Sequence, residues 1–299
     1  MLLREIKNIF HQELEASYPK EEVGSFFYML IEHYLDLERF VLVLQPELVL
    51  SKEQEQPLFE ALAQLKLGRP IQYITGTSTF MELPLLVNEH VLIPRPETEE
   101  LVQWIIDDVT QLFDPERQKL KILDIGTGSG CIAIALAKNL PNSHVFAIEI
   151  SKEALKVAKT NADKNQVMID FFEADILTTD QLDGTFDIIV SNPPYVLERE
   201  KEQMHKNVKA YEPKEALFVA DETPLLFYEK IADLAADHLN TPGTLYFEIN
   251  QYLGPETKVL LKERNFLEIE MRKDIFKNNR FLKAIKGPKV RASSEIDSM

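Results

Sequence analysis

Residues 119–138 read KLKILDIGTGSGCIAIALAK, an apolar run, a glycine-rich turn and a second apolar run. KLKILDIG is an apolar run of the kind a strand buried on both faces requires. A glycine-rich loop follows, and Cys131 to Lys138 read as a helix. Only ten glycines occur in the chain, yet Gly126, Gly128 and Gly130 fall within five residues. A strand-to-helix loop needs glycine where φ is positive or where a ligand approaches the backbone.

The alternation continues outward from this unit. HVFAIEI (144–150) is a second strand, and SKEALKVAKTNADKN (151–165) is a helix with Ser151 as its N-cap. MIDFFEAD (168–175) and FDIIVSNPP (186–194) are the third and fourth strands. A helix over 225–239, the strand TLYFEI (244–249) and a helix over 255–264 follow. Such alternation predicts an α/β fold with a parallel, doubly wound sheet. LEIEMRKD (267–274) and RFLKAIKG (280–287) stand too close for a crossover helix, so they are expected to form an antiparallel edge. The tail PKVRASSEIDSM is polar, and residues 289–299 are expected to be disordered.

Toward the N-terminus the texture differs. Phe26, Phe27, Leu30, Ile31, Tyr34 and Leu35 form a helical stripe, which Leu58, Leu62 and Leu65 repeat before Gly68 and Pro70. Residues 1–70 thus read as a small helical bundle. From Ile71, QYITGTSTFMELPLLVNEHVLIP is rich in β-branched and aromatic residues and broken by Gly76, Pro84 and Asn88, so 71–94 reads as short strands or a hairpin connector. RPETEELVQWIIDDV then opens a helix near Pro96, and the second domain is taken as 95–288.

Composition narrows the function. The chain has 299 residues, 45% hydrophobic and 27% charged, which excludes wholesale disorder. No apolar run approaches the ~18–20 residues of a membrane span. The N-terminus has no signal-peptide pattern, and a lone Cys131 fits a reducing cytoplasm. Lys and Arg total 33 against 49 Asp and Glu, a net charge of −16. That argues against a broad phosphate-tracking surface for nucleic acid. Six scattered histidines without ligand spacing argue against a metal.

About 20 residues beyond the loop, the second strand ends in Glu149, where a carboxylate can accept hydrogen bonds from both ribose hydroxyls of a nucleotide-like cofactor. Gly128, Gly130 and Ala133 also satisfy the GxGxxA form of the dinucleotide fingerprint, so the loop by itself leaves NAD open. Asp124, inside the loop mouth, would repel a pyrophosphate but attract the ammonium or sulfonium of S-adenosylmethionine. Asp175, closing the third strand, is placed to reach an adenine edge. Cys131 reads as a packing residue, although a helix N-terminus can lower a thiol pKa.

The fourth strand runs into Ser191, Asn192, Pro193, Pro194 and Tyr195. Two prolines stiffen the turn and remove two N–H donors. The Asn192 side-chain oxygen and the Pro193 carbonyl are then able to accept both hydrogens of one planar NH2 group, with Tyr195 as a flat apolar face. That arrangement suits methylation of a conjugated nitrogen, whose delocalised lone pair must be held and aligned.

GTSTFMELPLLVNEHVLIPRPETEELV, DIGTGSGCIAIALA, SNPPY and YEPKEAL, in this order behind a helical module, resemble the release-factor glutamine N5-methyltransferase family (HemK/PrmC type). The resemblance runs to about Pro288. It implies methyl transfer from S-adenosylmethionine to the glutamine amide in the GGQ loop of peptide-chain release factors, with the N-terminal module docking the release factor. Carried over by motif, Gly126, Thr127, Gly128, Ser129, Gly130 and Glu149 hold the cofactor, and Asn192, Pro193, Pro194 and Tyr195 hold the glutamine, Asn192 lying close to the methyl donor as well. The family usually has Asp where Glu149 stands. FVADETPLLFY after YEPKEAL and FEINQ in the fifth strand lack glycines that most members show, which is expected to reshape only the rim of the site. Two other readings stand beside this one. A nucleic-acid amino methyltransferase acting on adenine N6 or cytosine N4 uses a similar turn, and a SAM-binding scaffold would bind without turnover.

Overall fold

The computed structural model describes residues 1–111, 119–204 and 206–288, so the tail expected to be disordered lies outside the described residues. Two compact units are present, Met1–Thr77 with Met204–Glu212, and Ser78–Gln203 with Pro213 onward.

The first unit contains α1 (Leu3–Leu14), α2 (Lys20–Leu35), α3 (Val41–Leu44), α4 (Lys52–Lys66) and α5 (Ile71–Thr75). Leu3, Ile6, Phe10 and Leu14 recur at helical spacing on α1 and pack against Phe27, Leu30 and Ile31 of α2 and Leu58, Leu62 and Leu65 of α4. Phe10 meets Phe27 edge to face at 5.5 Å. Ser51 caps α4 in a reciprocal box with Gln54. Residues 71–75, expected to be extended, are instead helical. Pro70 supplies a fixed φ at the helix entry, and Gly76, at φ 70°, ends the turn, which outweighs the β propensity of a five-residue run.

The second unit starts with β1 (Thr77–Phe80) and β2 (Leu83–Leu86), a two-stranded sheet turned through Met81 and Glu82, both at positive φ. Then come α6 (Pro96–Gln111), β3 (Leu120–Ile125), α7 (Cys131–Asn139), β4 (Ser143–Glu149), α8 (Lys152–Lys164), β5 (Ile169–Glu173) and β6 (Phe186–Ser191). The remaining elements are β7 (Val196–Leu197), α9 (Lys206–Tyr211, in the first unit), β8 (Phe218–Val219), α10 (Leu226–His238), β9 (Leu239–Glu248), α11 (Gly254–Glu263), β10 (Phe266–Lys273) and β11 (Asn279–Lys286).

The main sheet has seven strands in the order β10-β11-β9-β6-β3-β4-β5. β9, β6, β3, β4 and β5 pair in parallel, while β11 and β10 close one side antiparallel. This is the doubly wound sheet with an antiparallel edge that the alternation implies. Strand pleating sends Leu123, Ile125, Ile189 and Phe247 to the face covered by α10 and α11, and Ile122, Val145, Ile188 and Tyr246 to the face covered by α6 and α7. The hairpin is fastened to α8, where Asn161 donates to the Leu86 carbonyl (2.9 Å) and accepts from the Leu86 N–H (2.6 Å). The chain leaves β3 for β4 on one side and returns to β6 on the other. Ligands bind at such switch points, beyond the carboxyl ends of the strands.

Candidate active site

At the switch point β3 gives way to the loop 126–130. Gly126, Gly128 and Gly130 have φ of 77°, 55° and 84°, values an L side chain rarely adopts. A Cβ on Gly126 or Gly128 would meet nothing within 4 Å, so these two face open space. Gly130 differs, because its Cβ would stand 3.2 Å from that of Ala158, and its glycine lets α7 approach α8.

The loop borders a cavity of about 640 Å³. Of the residues expected at the site, Gly126, Gly128, Glu149, Asp175, Asn192, Pro193 and Pro194 line it together. Thr127, Ser129, Gly130 and Tyr195 do not line it. His90 and Leu92 of the segment before α6, and Phe227 and Ile231 of α10, also line it. These four were not legible in the sequence, since scattered apolar positions and a lone histidine carry no signal of a ligand.

Glu149, at the end of β4, accepts from the Gly128 N–H (2.9 Å) and from the Ser151 N–H (3.0 Å). It therefore ties the glycine loop to the entry of α8. Asp175 accepts from the Leu177 N–H at 2.9 Å. Asp124 is fully buried, and the Thr127 hydroxyl donates to its Oδ2 at 2.6 Å. Among the described residues, its Oδ1 and the Ser129 hydroxyl are buried without a partner at hydrogen-bond geometry. Burial pushes the Asp124 pKa up to about 7, against the Thr127 hydrogen bond. At Cys131, which is partly buried, desolvation and the nearby Asp124 push the thiol pKa up to about 12, so the helix N-terminus does not activate it.

The Asp124 shift has a thermodynamic consequence. The folded pKa exceeds the unfolded one, so the folded state binds the extra proton between about pH 4 and 7. Stability from this group is full below about pH 4 and is lost as pH rises to about 7, a change on the order of 4 kcal/mol. Asp124→Asn should raise the denaturant midpoint at pH 8 and flatten its fall between pH 5 and 8. An unchanged slope in denaturant titrations would contradict this assignment.

The 191–195 turn is braced from several sides. The Ser191 hydroxyl donates to the Ile125 carbonyl (2.7 Å), stapling β6 to β3 at the loop. The Asn192 Nδ2 donates to the Thr98 Oγ1 (3.2 Å), and Thr98 donates to the Glu248 Oε2 (2.7 Å). The Tyr195 hydroxyl donates to the Glu248 Oε1 (2.9 Å), and the Arg280 Nη1 donates to that hydroxyl (3.4 Å). Tyr195 therefore points back into this network instead of presenting its ring to the cavity. Burial, then Glu248, pushes the Tyr195 pKa well above 10, so the hydroxyl stays protonated. Asn250 of FEINQ donates to the Tyr195 carbonyl (3.0 Å) and to Glu200 (2.9 Å). The departure at Asn250 thus reaches the turn itself and not only the rim.

Thr98, Glu248 and Arg280 were not legible as site residues. Thr98 and Glu248 lie 150 positions apart. A strand closing on an acid, as β4 does at Glu149, was the one available signal for Glu248. Among the described residues no group of three His, Cys, Asp or Glu is placed to hold a metal ion, and no helix is long and apolar enough to cross a membrane.

Residues 6–76 match the family described as PrmC N-terminal domain, and residues 105–211 match the methyltransferase small domain. A release factor glutamine methyltransferase of Flavobacterium psychrophilum is 52% identical over 95% of this chain and 99% of its own length. The one from Bacteroides thetaiotaomicron is 40% identical over 94% of this chain and 99% of its own. A solved methyltransferase structure from Pyrococcus furiosus has a TM-score of 0.50 at 20% identity, covering 80% of this chain and all of that one, a likeness of fold.

Proposed function

Because the chain belongs to the release factor glutamine methyltransferase family, we propose that it transfers a methyl group from S-adenosylmethionine to the side-chain nitrogen of the glutamine in the GGQ loop of release factors. The observation that carries this reading is the Asn192 carboxamide. Its nitrogen is committed to Thr98, which leaves its oxygen free to accept, and the residue lines a cavity shared with the glycine loop and Glu149.

The residues present fit S-adenosylmethionine. Gly126 and Gly128 leave backbone and open space where a side chain would intrude, and Glu149 offers a carboxylate at the strand end for ribose hydroxyls. Asp124, fully buried beneath the loop and outside the cavity lining, supports the loop through the Thr127 hydroxyl. Asp175 stands at the cavity wall for the adenine edge. Bound there, the cofactor supplies a methyl carbon made electrophilic by a sulfonium. The chain's own part is positioning. Asn192 Oδ1 and the Pro193 carbonyl accept the two amide N–H bonds, which fixes the nitrogen's direction and stabilises the positive character that grows on it. Pro194 keeps the turn rigid, and Tyr195 holds it to Glu248.

The reaction as proposed needs no metal and no nucleic acid, in keeping with a net charge of −16. The helical unit supplies docking surface for the release factor, and the cytoplasm, where release factors act, is the place of the reaction. Mass spectrometry tests the whole reading. A release factor incubated with the protein and S-adenosylmethionine should gain one methyl group on its GGQ glutamine. Methylation of an oligonucleotide instead, or binding without transfer, would overturn it.

A further inference from the structure

Between the 191–195 turn and the far edge of the sheet runs a chain of buried polar side chains that the proposed transfer does not itself use. Thr98 is 2% exposed and Glu248 1% exposed, so water does not substitute for either partner. Thr98 lies in the first turn of α6, Glu248 at the end of β9, and Asn192 just beyond β6. Three separate elements therefore converge on one hydroxyl.

A carboxamide has two nearly isosteric faces, and the turn works only if the oxygen rather than the nitrogen is offered to the substrate. A hydroxyl has one proton to give. Thr98 gives its proton to Glu248 at 2.7 Å, so toward Asn192 it presents only lone pairs. The group facing it, at 3.2 Å, must then be the Asn192 NH2. With the nitrogen so engaged, Oδ1 is the end left for the cavity. Glu248 accepts a second hydrogen bond, from the Tyr195 hydroxyl at 2.9 Å, which keeps both of its oxygens accepting and the relay one-directional.

We propose that Thr98 is a positioning residue that sets the flip of the Asn192 carboxamide, with Glu248 setting the direction of the Thr98 hydroxyl. The inference rests on the methyl-transfer reading for its kinetic consequence but not for its structural one. Burial pushes the Glu248 pKa up, while Thr98, Tyr195 and Arg280 pull it back toward the ionised form and Glu97 opposes them. Tyr228 also faces it, donating to the Glu248 backbone carbonyl, and Asp274 pairs with Arg280 from the other side. A valine at 98 would keep the shape of threonine and lose the hydroxyl. The Asn192 nitrogen would then have no acceptor, and the two flips would become close in energy.

The test compares Thr98→Val and Thr98→Ala with Thr98→Ser, which keeps the hydroxyl. For the two hydroxyl-less variants, kcat on release factor should fall about tenfold or more, with the KM for S-adenosylmethionine within about threefold of wild type. Thr98→Ser should restore most of kcat. Independently of turnover, the Asn192 side-chain NH2 resonances, assigned by their loss in Asn192→Asp, should exchange slowly with solvent in wild type and Thr98→Ser and quickly in Thr98→Val. Wild-type kcat in Thr98→Val, or Thr98→Ser as impaired as Thr98→Val, would overturn the proposal. So would equal amide protection in all variants. A wild-type protein that transfers no methyl to glutamine would instead refute the functional reading and leave the amide measurement standing on its own.

Discussion

Asn192→Ala is expected to lower turnover on release factor by about 10²–10³ while S-adenosylmethionine binds within a few-fold of wild type. The effect is large because the contact is differential. In the ground state the glutamine nitrogen shares its lone pair with its carbonyl, and its N–H bonds ask little of an acceptor. As the nitrogen attacks, the lone pair is withdrawn and those N–H bonds become more polar, so a fixed oxygen gains most at the transition state. Asn192 is fixed before any substrate arrives, with its nitrogen held by Thr98 and its backbone held between Ser191 and two prolines. Alanine removes the acceptor and leaves the Thr98–Glu248 pair intact, so the fold should not suffer. Asn192→Asp keeps an oxygen but loses the donor to Thr98, and partial activity is expected. Single-turnover assays with calorimetry separate the two quantities. An Asn192→Ala protein that kept more than about a third of wild-type turnover at saturating substrate would remove this turn from the chemistry.

The architecture was legible because it follows from local signals that agree. Apolar runs of strand length, helical stripes between them and a glycine loop at the first crossover leave few alternatives to a doubly wound sheet. Where a single local signal stood alone, the outcome was less uniform. The β-branched run after Ile71 began as a helix because Pro70 and Gly76 bracket it. Gly130 belongs to the fingerprint by spacing, yet the neighbour it accommodates is Ala158 on the next helix. Tyr195 has the flat ring a planar substrate would favour, but its hydroxyl is drawn back to Glu248, a residue 53 positions away. What the chain order hides is the layer behind the site. Thr98, Glu248 and Arg280 come from the start of α6, the end of β9 and the start of β11, and only the folded sheet makes them neighbours. A motif reports the residues that face the ligand, because they sit together on one loop. The residues that aim them arrive from other elements.

Glu149→Ala is expected to weaken S-adenosylmethionine binding by about 10- to 100-fold, since hydrogen bonds to a charged acceptor are worth ~1.5–3 kcal/mol. Two losses combine. The ribose hydroxyls lose their acceptor, and the Gly128 and Ser151 N–H groups lose the carboxylate that now joins them. The second loss loosens the loop in the unliganded protein, so part of the effect is an ordering cost at binding rather than a missing contact. Glu149→Gln separates the two. An amide oxygen can serve one backbone N–H or one hydroxyl, but its NH2 cannot accept from the other, so it should bind better than alanine and worse than wild type. Glu149→Asp should bind nearly as well as wild type if the loop can follow the shorter side chain. Gly128 faces open space and has room to do so. Calorimetry on the four proteins orders them, and equal affinity for wild type and Glu149→Ala would mean that the carboxylate neither meets the ribose nor preorganises the loop for binding. The ranking also bears on the choice of cofactor at this strand end. A group without free ribose hydroxyls would feel Glu149 only through the loop it braces, and only one that spends both hydroxyls on it would separate Glu, Asp, Gln and Ala in that order.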